Sequence, residues 1–332
     1  LITILNTLGI PDNNLVKIVT NNGDMRQFTY EVDGNSNIIT NRKLPNIEIV
    51  NVFLGGVYQN IELNVGDDVV IFNSISNPDC STNALNYLSQ FIRQATLPVV
   101  NYPSSVLETS RDKIYKNLKD LDSKIIIPRC DKIIPNSIKE VKEYLKKNNF
   151  PFPIIFRTTA DHGSENMVRI DDISDLNKLE QFAFDGKNPF YIIEYKDYKS
   201  KDNNYRKIRY WIIGDEVIPR HLVVCDEWNI SYNKKVKSMI TNFEFQEEEK
   251  AFLEKQDKKI NELCLKIKNY LDLDYFGIDC NINENNEMLI FEITPAMALL
   301  EDKHFPYINY KIKDAENALI KLIKNKSSKI AI

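Results

Sequence analysis

Two carboxylates set into otherwise apolar runs constrain this chain more than any other feature. Asp279 lies in DYFGIDCNI (274–282) and Glu292 in EMLIFEIT (287–294). Both runs have the length and the β-branched and aromatic content of buried strands, and the Asn-rich stretch between them suits a tight reversal. A turn centred between Asn285 and Asn286 sets Asp279 directly opposite Glu292, with Thr294 on the same face. Opposed like charges cost stability. A divalent cation between them removes the repulsion, and two carboxylates with phosphate oxygens are a usual Mg²⁺ arrangement. The competing reading is a carboxylate that faces solvent on an edge strand.

Charge of the opposite sign comes from a second hairpin. RKIRYWII (206–213) and EVIPRHLVV (216–224) flank Gly214-Asp215, which predicts a two-residue turn. Lys207, Arg209 and Trp211 then alternate onto one face, and Arg209 falls opposite Arg220. His221 falls on the other face and reads as a core histidine. A cationic stripe beside an acidic pair is what a phosphate chain requires; Lys207 alone reads more readily as part of a solvated face.

Two further segments carry weaker signals. Arg157 ends the apolar run IIFR and precedes TTADHGSEN, a small-residue loop able to fold over phosphates through backbone N–H groups. It has one glycine, Gly163, and no G-x-x-x-x-G-K-[ST] occurs, so an ordinary connection is the competing reading. The apolar run from Tyr191 to Tyr195 offers extended backbone to a flat base such as adenine, or is simply a core strand.

The rest of the chain predicts alternating elements. QFTYEV, IEIVNVFL and DDVVIF read as strands, NALNYLSQFIRQ as a helix and LPVVNYP as a further buried strand, so residues 1–103 form an open α/β unit. SSVLETSRDKIYKNLKDL reads as one helix, SKIIIP as a strand, SIKEVKEYLKKNN as a helix opened by a capping box, DDISDLNKLEQF as another capped helix and FYIIEY as a strand. One long helix is predicted over 247–271 and a last one over KDAENALIKLIKNK. The division expected is 1–103, 104–190 and 191–326.

Composition narrows the function classes. With 43% apolar and 27% charged residues over 332 positions the chain is not disordered. A net charge of −4 with both signs mixed argues against a nucleic-acid partner. No apolar run approaches the roughly 20 residues of a membrane helix, so a soluble protein is expected. The five cysteines are scattered without a C-x-x-C, which predicts a reducing compartment, taken as the cytoplasm, and no structural zinc. Residue 1 is Leu, which leaves room for a native start with a targeting segment ahead of it.

These segments, in this order, resemble the ATP-grasp superfamily, in particular carboxylate–amine ligases of the glutathione-synthetase and ribosomal-protein glutamate-ligase type. Arg111-Asp112-Lys113 resembles the "D-K" helix, FPIIFRTTADHGSEN the "P-[VI]-[VI]-K-P" strand with its glycine-rich lid, and YIIEYKDY the adenine hinge. RKIRYWIIGDEVIPRHL resembles the strand with the phosphate-binding arginine, and YFGIDCNINENNEMLIFEITPAM the metal hairpin. VVIFNSISNPD is similar to the segment ahead of the grasp domain in one bacterial subgroup. The resemblance spans roughly residues 65 to 300.

It implies an ATP-grasp fold of α/β (α+β) class behind an amino-terminal open α/β domain, with ATP and Mg²⁺ as cofactors. Lys113 and Arg157 would bind phosphates, with Lys207 beside them and His162 and Gly163 in the lid. Main-chain atoms of Ile193 to Tyr195 would hold adenine, with Glu194 or Asp197 near its amino group or the ribose. Arg209 would hold the γ-phosphate, and Asp279, Glu292 and Thr294 the metal. Arg157 stands where the family has lysine, and Thr294 where it has a metal-ligating asparagine. The activity implied is ADP-forming ligation of a small-molecule or peptide carboxylate to an amine through an acyl phosphate. The alternatives are a kinase for a hydroxyl and an ATP-binding module without turnover. His162 and His304 are the candidate bases, Trp211 and Trp228 candidate substrate contacts, and a homodimer is left open.

Overall fold

The structure, a computed structural model, describes residues 1–21, 24–36, 39, 42–56, 69–95, 97–159, 166–255 and 257–328. Among the described residues, three sheets of four or five strands, one two-stranded pair and the helices between them account for the expected α/β class.

The first sheet has strand β1 (Ile2–Gly9) at its centre, with β4 (Ile47–Leu54) and β5 (Val69–Asn73) parallel on either side and β6 (Val99–Val100) beyond β5. Helix α1 (Thr82–Gln94) makes the crossover from β5 to β6. This is the predicted open unit, but its central strand, ITILNTLG, is absent from the sequence expectations. Asn6 and Thr7 interrupt its apolar pattern, and both are buried in polar contacts. Asn6 donates to Asn51 Oδ1 at 2.8 Å and accepts from Ser74 Oγ at 2.6 Å. QFTYEV does not join this sheet; β2 (Lys17–Asn21) and β3 (Asp24–Glu31) pair with each other.

The single helix predicted over 104–121 is two, α2 (Pro103–Leu107) and α3 (Arg111–Leu118). Ser110 is extended, with φ −60° and ψ 148°, which stops the first helix and starts the second. Its hydroxyl donates to Asp112 at 2.9 Å.

The second sheet runs β10 (Met167–Ile170), β9 (Ile154–Thr158), β11 (Phe190–Glu194), β8 (Cys130–Ile133), all antiparallel. Helix α4 (Ile138–Lys147) covers it through Val141 and Leu145, which pack with Phe156, Phe190 and Ile192 in a core of their own. Ser137 caps α4 by accepting from Glu140 N, and Glu140 reaches back to the N–H of Asn136. The second predicted helix is capped by Asp172 as expected but is a 3₁₀ stretch, Ile173–Gln181.

The third sheet runs β13 (Glu216–Cys225), β12 (Tyr205–Ile213), β14 (Tyr275–Ile282), β15 (Met288–Pro295), β7 (Ile125–Ile126). Helices α5 (Tyr232–Met239), α6 (Phe243–Glu254) and α7 (Lys258–Leu271) precede its last hairpin. The long helix predicted over 247–271 therefore breaks: Lys255 is extended and Asp257 caps α7 by accepting from Lys259 and Ile260 N–H groups. One face of the sheet, with Ile208, Tyr210, Ile212, Phe276 and Ile278, packs on Ile260, Cys264 and Ile267 of α7. On the other face Trp211 and Tyr275 pack with the last helix, α8 (Tyr310–Ser327), and with Ile4 and Phe72 of the first sheet.

The expected division at 103/104 and 190/191 does not follow the packing. Val106, Ile114, Leu118 and Ile125 share the core of the third sheet, and β7 pairs with β15. The second sheet begins at Cys130, and β11 belongs to it rather than to the carboxy-terminal part.

Because the second sheet has its own core, Phe156→Ala is expected to cost about 3–5 kcal/mol within that unit. Hydrogen exchange should speed up across residues 130–133, 154–158 and 190–194, while 275–282 and 288–295 keep their protection.

Candidate active site

Asp279 and Glu292 face each other as predicted, but through two offsets that cancel. Five residues, 283–287, join β14 to β15, and Asn283 Oδ1 accepts from Asn285 N and Glu287 N. A turn of odd length would set Asp279 opposite Phe291. A bulge between Asp279 and Cys280 makes Phe291 the extra residue and restores the pairing of Asp279 with Glu292.

The first hairpin departs from its prediction for a related reason. Its turn is the two-residue one, yet a bulge after Arg209 pairs Tyr210 with Pro219 and Arg209 with His221. Pro219 has no N–H to give the ladder. Arg220 is the extra residue: its guanidinium lies over Trp211 at 5.1 Å and donates to the carbonyls of Leu300 and Ile308. Trp211 is thus core, not a substrate contact. His221 joins the charged face instead of leaving it.

A row across four strands results: His221, Arg209, Asp279, Glu292. Asp279 is 2% exposed. Arg209 Nε donates to its Oδ1 at 2.6 Å and Nη2 to its Oδ2 at 2.8 Å, while Lys207 Nζ lies 3.2 Å from Oδ2. Burial alone would raise the Asp279 carboxyl; Arg209 and then Lys207 overcome it and hold the group well below the usual carboxylate range. Glu292 is paired by Arg111, whose Nη2 stands 3.0 Å away and whose Nη1 donates to Phe291 O at 2.5 Å. The chain's own cations therefore neutralise both carboxylates. Burial, with Arg209 and Lys235 nearby, pushes His221 well below the usual imidazole range, and its Nε2 has no hydrogen-bond partner among the described residues.

One cavity opens beside this row. Arg157, Glu194, Tyr195, Lys207, Asp279, Glu292 and Thr294 all line it, so seven predicted residues from two sheets meet there. Arg157 is buried, and its Nε donates to Thr158 O at 3.3 Å. Arg209 is absent from the wall and stands behind Asp279. Lys113 is also absent; its Nζ donates to Leu107 O at 2.9 Å and Glu108 at 3.0 Å. Arg111 takes the place on the wall, because it shares the inward helical face of Ile114. That spacing was legible in the sequence. Asp197 accepts from Tyr195 Oη at 3.3 Å and does not reach the wall, nor does His304, which stands beside Tyr232. His162 and Gly163 lie outside the described residues.

The hinge differs in detail from expectation. Glu194 N donates to Arg129 O at 2.8 Å and Tyr195 N to Pro153 O at 2.9 Å, so neither N–H is available to a base. The cavity wall also carries the apolar side chains of Ile155, Met167, Ile193 and Ile290. Tyr195, on the same wall, is braced edge-on by Trp228 at 5.6 Å and by Arg169 over its ring at 4.1 Å. Sequence reasoning quoted Asp79 only as the last residue of VVIFNSISNPD and gave it no role, yet it lines the cavity from the first unit.

Among the described residues no group of three His, Cys, Asp or Glu converges on a metal position. Asp279, Glu292 and the Thr294 hydroxyl nevertheless offer oxygen donors on one wall, which fit a hard divalent cation in kind. Such an ion would exchange with Arg209, Lys207 and Arg111.

No protein-family model matches the chain, and no curated protein matches it by sequence. Solved structures do resemble it. The D-alanine–D-alanine ligase of Bacillus anthracis complexed with ATP is 11% identical over 99% of this chain and 98% of that one, with TM-score 0.55. The VanG D-Ala:D-Ser ligase of Enterococcus faecalis is 11% identical over 97% and 99%, with TM-score 0.55. The Chryseobacterium gregarium RiPP-associated ATP-grasp ligase, in complex with ADP and a leader and core peptide, is 13% identical over 98% and 97%, with TM-score 0.50. At such identities the likeness speaks for architecture: this chain has the ATP-grasp fold.

Proposed function

We propose that this chain is an ADP-forming carboxylate–amine ligase that works through an acyl phosphate. The observation that carries the reading is one cavity whose wall holds Arg111, Arg157 and Lys207, brought from three parts of the chain, together with Asp279 and Glu292. The division of labour follows: residues 1–103 would wall the substrate side, the second sheet would clasp the nucleotide from above, and the third would hold its phosphates.

In the first step a substrate carboxylate oxygen attacks the γ-phosphorus of ATP and ADP leaves. In the second an amine nitrogen attacks the acyl carbon, loses a proton, and phosphate leaves. The apolar part of the lining, with Ile155, Met167, Ile193 and Ile290, would take adenine by its faces. Arg157 and Lys207 would meet the phosphate oxygens, and Arg209, released from Asp279, would stabilise charge on the transferring group. Mg²⁺ held by Asp279 and Glu292, with Thr294 beside them, would add positive charge there. The acid and amine would be small molecules or peptides, met by Trp228, Asn229 and Ile230 of the same wall.

ADP release with hydroxylamine present should yield a hydroxamate. A phosphate ester in its place would make the chain a kinase, and no ADP with any acid and amine would reduce it to a binding module. Arg209→Ala is expected to lower turnover by about 10²–10³ in the same assay; near-normal turnover would remove Arg209 from the chemistry.

The depressed Asp279 carboxyl also has a pH consequence. A lowered folded-state value gives stability that is complete above the unfolded value of about 3.9 and is lost as pH falls below it. Asp279→Asn should therefore cost stability at pH 7, by about 3–5 kcal/mol for a broken buried pair. Urea unfolding from pH 7 to pH 3 should show the variant's deficit shrinking only below about pH 4.

A further inference from the structure

The loop after β5 carries Asp79 out of the first sheet and into the second. Its carboxylate is 7% exposed and accepts from two side chains there: Tyr191 Oη at 2.5 Å and Lys132 Nζ at 2.7 Å. Tyr191 is fully buried. Burial, then Asp79 itself, raises its phenol far above the usual range, so it remains a donor at every working pH. These partners are not scattered. Lys132 pairs with Tyr191 across β8 and β11, and Tyr191 pairs with Arg157 across β11 and β9. Lys132, Tyr191 and Arg157 therefore form one row on one face of the second sheet. Asp79 grips two members of the row, and the third is the arginine on the cavity wall.

The contact joins units that otherwise have separate cores. The second sheet's core contains no residue of the first sheet, and a sheet so attached can swing against its neighbours. A carboxylate only 7% exposed that accepts from a buried phenol as well as from an ammonium holds one geometry better than fully exposed pairs do, although Lys132 itself keeps access to water.

We propose that Asp79 is a positioning residue of the nucleotide site: by gripping Tyr191 and Lys132 it docks the second sheet on the amino-terminal unit and so fixes Arg157 over the cavity. This rests on the reading of the cavity as a nucleotide site. When a binding-competent arrangement is populated only in part, apparent affinity falls by that fraction. Losing the grip would therefore weaken ATP binding, and at Tyr191 or Lys132, which are absent from the cavity wall, it would do so without changing a wall residue.

The test uses the full chain and measures Mg²⁺-ATP affinity by calorimetry, with small-angle scattering of the ligand-free protein. Asp79→Ala is expected to weaken ATP binding about tenfold, as a drop in the docked fraction to about one-tenth would give, and to widen the scattering envelope. Tyr191→Phe and Lys132→Met, which remove one donor each, should show smaller losses of both kinds. Neither should add to Asp79→Ala in the double variant, because their partner is already gone. Asp79→Glu, which keeps the charge, should recover most of the affinity, an outcome a merely structural role would not give. Should Asp79→Ala misfold by circular dichroism, the Tyr191→Phe and Lys132→Met pair decides alone. Wild-type affinity in these variants, or additive losses, would overturn the proposal. A wild-type protein that binds no ATP would instead overturn the reading of the cavity, a separate result.

Discussion

Asp279 can sit at 2% exposure in the middle of a sheet only because Arg209 stands opposite it on the neighbouring strand. An isolated carboxylate there would be driven to protonate. A bidentate guanidinium and a nearby ammonium keep it ionised. Much else follows from that demand. Arg209 and Lys207 must lie on one face of β12, which fixes the register of β12 against β14. Glu292 arrives beside Asp279 through β15, and it needs a cation of its own. Arg111 supplies one from α3, which packs into the same core through Ile114 and Leu118.

Both bulges serve this row. Without the extra residue at Phe291, the five-residue turn would turn Glu292 to the opposite face, among the apolar side chains that meet α7. Without the extra residue at Arg220, two arginines would face each other and His221 would be lost from the row. Bulges beside functional groups commonly re-aim side chains in this way. Here they reconcile strand period, which a sequence imposes, with turn lengths that do not match it.

The parts of the molecule that were legible in the sequence are those where one physical signal dominated. Apolar runs announced β5, β9, β11, β12, β14 and β15, and the opposed carboxylates announced the site. Helix breaks at Ser110 and Lys255 were hidden, because the apolar stripe continues across them and only local backbone conformation ends the helices. β1 was hidden because the polar residues of a Ser74–Asn6–Asn51 chain of hydrogen bonds read in the sequence as solvent-facing positions. Lys113 was chosen over Arg111 by resemblance to a motif, whereas helical phase favoured Arg111. Asp79 ends the VVIFNSISNPD segment, but its role was not legible there, because its partners are 53 and 112 residues away and nothing local records them.

The charge pattern of the cavity sets terms for what can enter it. Arg111, Arg157, Lys196 and Lys207 line it, and so do Asp79, Glu194, Asp279 and Glu292. Every one of these carboxylates has a cationic partner: Lys132, Lys196, Arg209 with Lys207, and Arg111 respectively. A divalent cation arriving alone would displace Arg209 and Arg111 from their carboxylates and leave two guanidinium groups desolvated without an anion. A polyphosphate arriving alone would draw the same arginines away and leave Asp279 and Glu292 opposed. Arriving together, each ligand partners the groups the other releases, so the two should bind far better jointly than separately, a coupling that is reciprocal by linkage. On the proposed reading, the bland net charge of −4 conceals a site built as paired opposites, and the pairing is what selects a nucleotide that brings its metal with it.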